Sequence, residues 1–423
     1  MNLKIRLILL NFLEFAVWGA YLTSMGTYLA GAGLAEYIGY FYSVQGVVSI
    51  FMPALMGIVA DRWMQGQRVF SLCHVLAGAF MLAASAYAYN AGDGVHFGTL
   101  FALYTCSVAF FMPTIALGYS VAYSALEGQG LDAVKAFPPI RVWGTVGFIV
   151  LMWIIDLCGL QSTPGQWAVS GALSLVLALY ALTMPAMPIA KGEHKSLADA
   201  LGLRAFKLFA QPRMAMFFIF SMLLGVCLQI TNGFANPFIT SFGSLPEYAD
   251  TFGVQHANIL ISISQMSETL CILLIPFCLS RFGIKRVILI ALGAWVLRFG
   301  FFGLGNPGSG VMLFVLSMLV YGVAFDFFNI SGSLFVNQET DEGIRNSAQG
   351  LFMMMTNGLG AFVGTLCAQQ IINHFVYTPQ AAGVTGSAII DGWQTCWYIF
   401  AGYALTVAIL FAIFFKDTKK AEN

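Results

Sequence analysis

Several polar side chains lie inside segments that are otherwise apolar, and their spacing indicates a site for a solute. Arg141, Thr145 and Phe148 are four and three residues apart, so one helix face would carry a cation, a hydroxyl and an aromatic ring. Helical spacing also relates three further sets, which are Gln229 with Asn232, Gln265 with Glu268, and Tyr321 with Phe325 and the adjoining Asp326. Amides, hydroxyls and ring planes together suit a flat, neutral, hydroxylated solute better than an inorganic ion.

Two of these side chains, Glu268 and Asp326, can also bind and release protons. The proton affinity of a carboxyl group depends on its desolvation and on nearby charges. A carboxyl group that alternates between two surroundings can therefore carry a proton, and we predict that Glu268 and Asp326 couple transport to protons. The chain contains no GxxxxGK[ST] pattern, so ATP hydrolysis is not expected to supply the energy.

The composition shows what kind of elements must position these residues. The chain has 423 residues, of which 59% are hydrophobic and only 9% are charged, and its mean hydropathy is +0.81. Soluble domains are about 45–50% apolar and about 25% charged. The apolar content is enough for about twelve membrane spans of about 20 residues each. This composition excludes a soluble enzyme, a disordered chain and, with a net charge of zero, a nucleic-acid binder.

The apolar residues fall into twelve continuous segments bounded by turn or charge signals. Continuous runs of this length favour helices that span a lipid bilayer. The twelve predicted spans are 7–30, 39–60, 69–89, 97–126, 138–158, 166–187, 214–242, 254–279, 287–304, 311–335, 348–375 and 393–415. We therefore predict an all-α integral membrane protein of twelve transmembrane helices.

The basic residues define the orientation and the domains. All 19 except Arg141 and Arg298 fall in the termini and in alternate loops, and the other loops carry only acids. The positive-inside rule then places both termini in the cytoplasm. The longest basic segment, 189–213, predicts a cytoplasmic linker, partly amphipathic, between two six-helix bundles at 1–188 and 214–423. A parallel repeat of six helices is typical of major facilitator transporters.

Charges inside the bilayer need partners or a purpose, because each costs about 2.5–3.5 kcal/mol on insertion scales. Arg141, Glu268 and Asp326 are predicted to serve function. For Arg298 and Glu14 we favour structural pairing that locks helices together. The eight cysteines and five histidines are scattered, so no metal site is predicted.

The sequence also carries motifs of known transporters. Residues 57–62 (GIVADR) resemble the loop signature of the major facilitator superfamily. Four segments resemble the bacterial nucleoside:proton symporter family, and they are 137–145 (FPPIRVWGT), 228–232 (LQITN), 264–269 (SQMSET) and 321–329 (YGVAFDFFN). The resemblance extends from Met1 to the last helix.

This resemblance implies proton-driven uptake of purine and pyrimidine nucleosides, such as uridine, across the bacterial inner membrane. It implies that the substrate site comprises Arg141, Thr145, Phe148, Gln229, Asn232, Gln265, Glu268, Tyr321, Phe325 and Asp326. It also implies that Asp61 and Arg62 serve a gate. The expected partners are the nucleoside, the proton and the lipid bilayer, with no cofactor, no nucleic acid and a monomeric chain.

Two alternatives stay open at this stage. The chain could be a proton symporter for a sugar, a glycoside or an unusual nucleoside such as xanthosine, which competition by free ribose and uridine would separate. A membrane-embedded enzyme or receptor is the other class. Because the chain lacks an evident nucleophile–base pair or metal cluster, we predict that it is not an enzyme.

Overall fold

The regular structure of the chain is helical throughout the residues that can be described. The computed structural model describes residues 2–187, 203–341 and 344–415, without the side chains of Asp61, Val134, Leu203, Arg204 and Asn346. Within these ranges the elements are α-helices joined by short 3₁₀ turns, with two π-helical stretches. The predicted all-α class is therefore confirmed.

The first half of the sequence contains eight α-helices. They are α1 (Leu3–Gly19), α2 (Met25–Gly31), α3 (Ile38–Arg62), α4 (Gly66–Ala91), α5 (Phe97–Glu127), α6 (Ala133–Ala136), α7 (Pro138–Leu157) and α8 (Gly165–Ala181). Pro138 stands at the first helical position of α7, where its missing N–H costs no hydrogen bond. Because α3 continues to Arg62, residues 57–62 form a helix end, where the sequence motif predicts a loop.

The second half contains ten α-helices among the described residues. They are α9 (Pro212–Leu228), α10 (Ile230–Ser241), α11 (Phe252–Gln255), α12 (Ala257–Ile272), α13 (Ile275–Leu304), α14 (Val311–Glu339), α15 (Arg345–Met353), α16 (Ala361–Ile372), α17 (Thr378–Ala381) and α18 (Ser387–Phe414). The π-helical stretches are Met354–Gly360 and Asn373–Tyr377. The turn predicted between the eighth and ninth spans is a kink within α13, at Gly283, whose φ is 74°.

Nine helical stretches of the described ranges are long and apolar enough to cross a membrane. The first, sixth and eighth predicted spans hold the shorter helices α1 and α8, of 17 residues each, and α12, of 16 residues. A helix of 17 residues is about 26 Å long, slightly less than the hydrocarbon core of a typical bilayer. The count of twelve crossings stays a prediction.

The described residues divide into two compact units. Unit 1 comprises those within Met1–Leu201, Asn232–Pro237 and His256–Ser262, and unit 2 comprises the remainder. Unit 1 thus includes two short segments from the second half of the sequence. The predicted linker, 189–213, lies largely outside the described residues, although Leu203–Ala210 form a 3₁₀ helix. The predicted domain boundaries stay a prediction.

Glycines set the closest helix approaches in each unit. A Cβ atom on Gly19 of α1 would overlap the backbone carbonyl of Phe148 on α7. A Cβ atom on Gly322 of α14 would lie 2.5 Å from the backbone oxygen of Ser267 on α12. Small residues allow helix backbones to meet in this way in membrane proteins. Both contacts involve helices that carry predicted site residues.

Candidate functional site

Arg141 of unit 1 is held by aromatic side chains. Its Nε donates a hydrogen bond of 2.7 Å to the hydroxyl of Tyr119 on α5. Its guanidinium carbon lies 3.9 Å from the ring centroid of Phe15 on α1, within the range of a cation–π interaction. No described carboxylate lies within 4 Å of it, and its terminal amino groups have no acceptor in the described part of the chain. These N–H groups can donate to a ligand.

Phe148 extends the aromatic surface on the same face of α7. It is buried and meets Trp18 of α1 edge-on, with the ring centroids 6.3 Å apart. Trp18 in turn contacts Phe15, at 6.5 Å, and Phe111 of α5, at 6.0 Å. The predicted cation and ring of α7 are therefore joined by a ring surface contributed by α1 and α5. The third predicted residue of this face, Thr145, is half-buried.

In unit 2, the contacts of the predicted site residues involve Tyr321. Its ring stacks on Phe325 with centroids 5.5 Å apart and an interplanar angle of 23°, as the i, i+4 spacing on α14 predicts. Its hydroxyl lies within electrostatic range of Glu268 and Asp326. Asp326 is buried, whereas Glu268 and its neighbour Gln265 on α12 are partly exposed. Within unit 2, both predicted proton-coupling carboxyl groups therefore interact electrostatically with one predicted substrate residue.

The remaining predicted residues lie at breaks or segment ends. Gln229 occupies the junction between α9 and α10, where the helix is interrupted at a φ of −96° and a ψ of −10°. Gln229 belongs to unit 2, while Asn232, three residues further, belongs to unit 1. Of the predicted gate, Arg62 is exposed at the end of α3, and the side chain of Asp61 lies outside the described residues.

Sequence reasoning missed the residues that support the predicted ones. Tyr119 and Phe15 hold Arg141, yet they lie on α5 and α1, and no local spacing connects them to α7. The repeat of rings at Phe15 and Trp18, three residues apart, is the one signal that marks this face of α1.

Glu14 is paired, as the sequence predicts, although with a histidine. Its Oε2 lies 2.7 Å from Nε2 of His74 on α4, and its Oε1 accepts from the hydroxyl of Thr114 at 2.6 Å. The Oγ of Ser174 donates to the backbone carbonyl of His74, so it accepts from the Nδ1–H of that ring. The Glu14 carboxyl group and the His74 ring are therefore direct polar partners in the interior of unit 1.

Arg298, for which we predict structural pairing that locks helices together, has neutral partners. It is buried, and no described carboxylate lies within 4 Å of its guanidinium. Its hydrogen-bond acceptors are neutral oxygen atoms of Thr231, Ser264 and Ser317. The predicted locking of helices is present, but the partners are hydroxyl and carbonyl groups.

Comparison with known proteins agrees with this architecture. The model of the nucleoside H+ symporter family matches residues 1–420. The chain is 48% identical over 428 residues to the xanthosine permease of Escherichia coli (strain K12), an alignment covering 100% of this chain and 98% of the permease. It is 46% identical over 424 residues to the nucleoside permease NupG of the same organism, with 98% and 96% covered.

Comparison with solved structures identifies the fold. The crystal structure of the nucleoside transporter NupG matches with a TM-score of 0.89 and 45% identity, covering 99% of this chain and 100% of that chain. The D-xylose-proton symporter matches with a TM-score of 0.71 at 14% identity, covering 99% of each chain. The fold is that of the major facilitator transporters, so the protein is a multi-pass membrane transporter. The chain belongs to the nucleoside H+ symporter family, and its substrates are a nucleoside and the proton.

Proposed function

We propose that this chain takes up purine and pyrimidine nucleosides, uridine among them, together with protons across a bacterial inner membrane. The transport follows alternating access, needs no cofactor beyond the proton gradient and involves no enzymatic reaction. The chain acts as a monomer in the lipid bilayer with both termini in the cytoplasm. The E. coli relatives and the alternate placement of basic loops support this proposal.

The observation that carries the substrate assignment is the arrangement around Arg141. Tyr119 and Phe15 fix the guanidinium, and its terminal N–H groups stay available. A nucleoside presents carbonyl and hydroxyl oxygens that accept such hydrogen bonds, together with a flat base that can lie against the Phe148 ring. An inorganic ion would interact only with the positive charge of Arg141.

The residues proposed to contact the nucleoside are the ten that the sequence predicts, which are Arg141, Thr145, Phe148, Gln229, Asn232, Gln265, Glu268, Tyr321, Phe325 and Asp326. Glu268 and Asp326 additionally bind the coupled proton, and Asp61 and Arg62 act at a gate. The electrostatic interaction of both carboxyl groups with Tyr321 supports a direct link between proton binding and substrate binding.

The energy available from protons is sufficient for accumulation. A proton driving force of about 150 mV provides about 3.4 kcal/mol per proton. At about 1.4 kcal/mol for each tenfold change, one proton per nucleoside supports a concentration ratio of a few hundredfold.

Uptake of labelled uridine tests the proposal directly. Cells without their own nucleoside transport should accumulate uridine when they express the chain, and a protonophore should abolish the accumulation. Asp326→Asn and Arg141→Ala should each lower uptake by at least about tenfold, since a lost charged hydrogen bond is worth roughly 1.5–3 kcal/mol. Asp93→Asn changes an exposed acid and is the matched control, expected to transport like wild type.

Each of these uptake measurements has an outcome that contradicts part of the proposal. Uptake that equilibrates and ignores the protonophore would retain the substrate and exclude proton coupling. Full uptake by Arg141→Ala would show that Arg141 does not belong to the substrate site. Absence of uridine uptake by inserted wild-type protein would favour another solute.

A xanthosine transporter is the second candidate, because the permease that shares 48% identity with this chain is named for xanthosine. Competition of labelled uridine uptake by xanthosine, by inosine and by free ribose separates the two. Strong competition by xanthosine alone would identify the narrower function, and competition by free ribose would point to a sugar carrier.

A further inference from the structure

Tyr119 is the described side chain that accepts a hydrogen bond from Arg141. It lies half-buried on α5, and its hydroxyl accepts from Nε of Arg141 at 2.7 Å. Tyr123, about one helical turn further along α5, is 40% exposed. Among the described side chains, the hydroxyl of Tyr123 makes no such bond to Arg141. This contact therefore distinguishes Tyr119 from its neighbour of the same type.

Tyr119 is itself held at the start of α7. Its ring meets the buried ring of Phe137 edge-on, with the centroids 5.3 Å apart. Phe137 directly precedes α7, and its backbone carbonyl accepts from the backbone N–H of Arg141 at 2.9 Å. The acceptor for the Arg141 side chain and the acceptor for its backbone are therefore joined by one ring contact.

The face of the Arg141 guanidinium is also fixed. The Phe15 ring covers it at 3.9 Å, and Gly144 makes this approach possible. A Cβ atom on Gly144 would lie 2.6 Å from Cδ2 of Phe15 and 2.9 Å from Nη1 of Arg141. Both distances are too short for ordinary contacts, so the absence of a side chain at this position leaves room for the ring and the cation.

These contacts leave one end of the guanidinium for a ligand. A guanidinium can donate a pair of hydrogen bonds from its side, through Nε and one Nη, or from its end, through Nη1 and Nη2. In Arg141 the hydroxyl of Tyr119 occupies Nε, so the side is taken. The end has no acceptor in the described part of the chain, and its two N–H donors are available together.

We propose that Tyr119 is a positioning residue for nucleoside binding, which directs the Nη1 and Nη2 donors of Arg141 at an oxygen acceptor of the nucleoside. This inference rests on the proposed function and adds to it the end of Arg141 that is used and the group that fixes it. A base carbonyl and a ribose hydroxyl can each supply the accepting oxygen. Tyr119 acts through Arg141 and needs no contact with the nucleoside.

Tyr119→Phe tests the role of the hydroxyl, because it removes the oxygen atom and keeps the ring that packs on Phe137. The KM and the maximal rate of labelled uridine uptake are measured together with the melting temperature. We expect the KM to rise at least about fivefold, since hydrogen bonds to charged groups are among the stronger ones. The maximal rate and the melting temperature should stay near the wild-type values. Tyr123→Phe removes the neighbouring hydroxyl and is the matched control, expected to keep the wild-type KM.

The same change in an Arg141→Lys background separates positioning from a structural role. Lysine has neither Nε nor a fork, so the Tyr119 hydroxyl no longer has a guanidinium to direct. Adding Tyr119→Phe should then change the KM by less than about twofold, whereas a merely structural residue would give the same factor in both backgrounds. Where uptake is too slow, the Kd of uridine for the purified variants, measured by calorimetry, gives the same comparison.

Uridine analogues identify the oxygen that Arg141 binds. The 2′-, 3′- and 5′-deoxyuridines each lack one ribose hydroxyl, and 2-thiouridine and 4-thiouridine each replace one base carbonyl. For wild type, the analogue without the bound oxygen should have a KM at least about tenfold above that of uridine, since it leaves a charged donor unpaired. In Tyr119→Phe this difference should fall below about threefold. A deoxy analogue that behaves so identifies the ribose, and a thio analogue identifies the base.

Other results would overturn the inference. A wild-type KM in Tyr119→Phe, equal factors in the two Arg141 backgrounds, or analogue differences that Tyr119→Phe leaves unchanged would each exclude positioning. If Tyr119→Phe does not fold, Gly144→Ala replaces it, because the added Cβ atom crowds Nη1. Gly144→Ala should raise the KM at least about fivefold, and a wild-type KM would contradict the inference. If wild type transports neither uridine nor xanthosine, the proposed function fails and this inference with it. Normal wild-type uptake with an unchanged KM in Tyr119→Phe refutes this inference alone.

Discussion

The two units bury charge in different ways. In unit 1 the two acids that are buried among the described side chains each lie against an imidazole: Glu14 is 2.7 Å from His74, and Asp156 is 2.6 Å from His256. In unit 2 the buried guanidinium of Arg298 is surrounded by neutral oxygen atoms and the ring of Tyr321. The carboxyl groups that interact electrostatically with Tyr321 are those of the predicted proton carriers, Glu268 and Asp326.

This difference separates stability from coupling. In each acid–imidazole pair the ring nitrogen and the carboxyl oxygen are direct polar partners, so neither is buried alone. The guanidinium of Arg298 stays charged and is stabilised by neutral oxygen atoms and a ring face. We therefore expect changes to the acid–imidazole pairs of unit 1 to lower stability, and changes to Glu268 or Asp326 of unit 2 to alter proton coupling.

The largest expected effect on stability comes from Glu14. In Glu14→Leu the Nε2 of His74 loses its buried partner, while Thr114 can still donate to the carbonyl of Phe111. Removal of one member of a buried polar pair costs about 3 kcal/mol. The melting temperature of the purified variant in detergent should fall by several degrees, and the number of protons moved per nucleoside should stay unchanged.

The double variant Glu14→Leu with His74→Leu sharpens this test. It removes both polar groups, so it should melt above Glu14→Leu alone, since a buried pair replaced by apolar groups is often nearly neutral. His96→Ala changes an exposed histidine and serves as the control. A normal melting temperature with a changed proton stoichiometry would make the Glu14–His74 pair a proton carrier and would break the contrast between the units.

Helix contacts offer the next test, with an intermediate effect. Gly19→Ala pushes α1 against the backbone of Phe148, and Gly322→Ala pushes α14 against Ser267, the neighbour of Glu268. Overpacking of this kind costs about 1–3 kcal/mol. We expect Gly19→Ala to raise the KM for uridine, and Gly322→Ala to shift the pH profile of uptake as well.

Gly293→Ala is the matched control for both glycine variants. Apart from the neighbouring backbone of its own helix, no described atom lies within 4 Å of a Cβ atom at this position, so the change should be neutral or stabilise the protein by up to about 1 kcal/mol. Identical kinetic effects of Gly19→Ala and Gly322→Ala would show that the two units do not divide substrate binding and coupling between them.

Much of the fold was predictable because apolar length and charge position are local properties of a sequence. The runs over 97–126 and 311–335 correspond closely to α5 and α14. The kink at Gly283 was read as a loop because its basic residues resemble those of a connecting turn, whereas only one residue leaves the helical conformation. The short helices α1, α8 and α12 show that a span cannot be counted from length alone.

The candidate site was predictable only as far as residues share one helix. The stacking of Tyr321 on Phe325 follows from i, i+4 spacing, and the structure shows it. The contacts of Arg141 with Phe15 and Tyr119 and of Arg298 with Thr231 join helices far apart in sequence. Such contacts depend on tertiary packing, so spacing identified the cations but not their partners.

The smallest effect is expected at Asp156, where the acid also caps the first residues of α12, which belong to unit 1. Its Oδ2 accepts from the backbone N–H groups of Asn258 and Ile259, at 3.0 and 3.3 Å, at the start of α12. Loss of such a cap costs about 0.5–2 kcal/mol. Asp156→Ala should therefore lower the melting temperature less than Glu14→Leu, also because His256, with 33% of its side chain exposed, can bind water instead.

Asp156→Asn separates the cap from the imidazole contact. An amide oxygen still accepts from the N–H groups of α12, whereas it attracts His256 less than a carboxylate does. We expect the loss of stability in Asp156→Asn to be less than half of the loss in Asp156→Ala. Asp391→Ala, which changes an exposed acid, is the control. Equal losses in the Asn and Ala variants would mean that pairing with His256 carries the stabilisation. Proton stoichiometry must stay at the wild-type value in both variants, because a change in it would place a coupling carboxyl group in unit 1 as well.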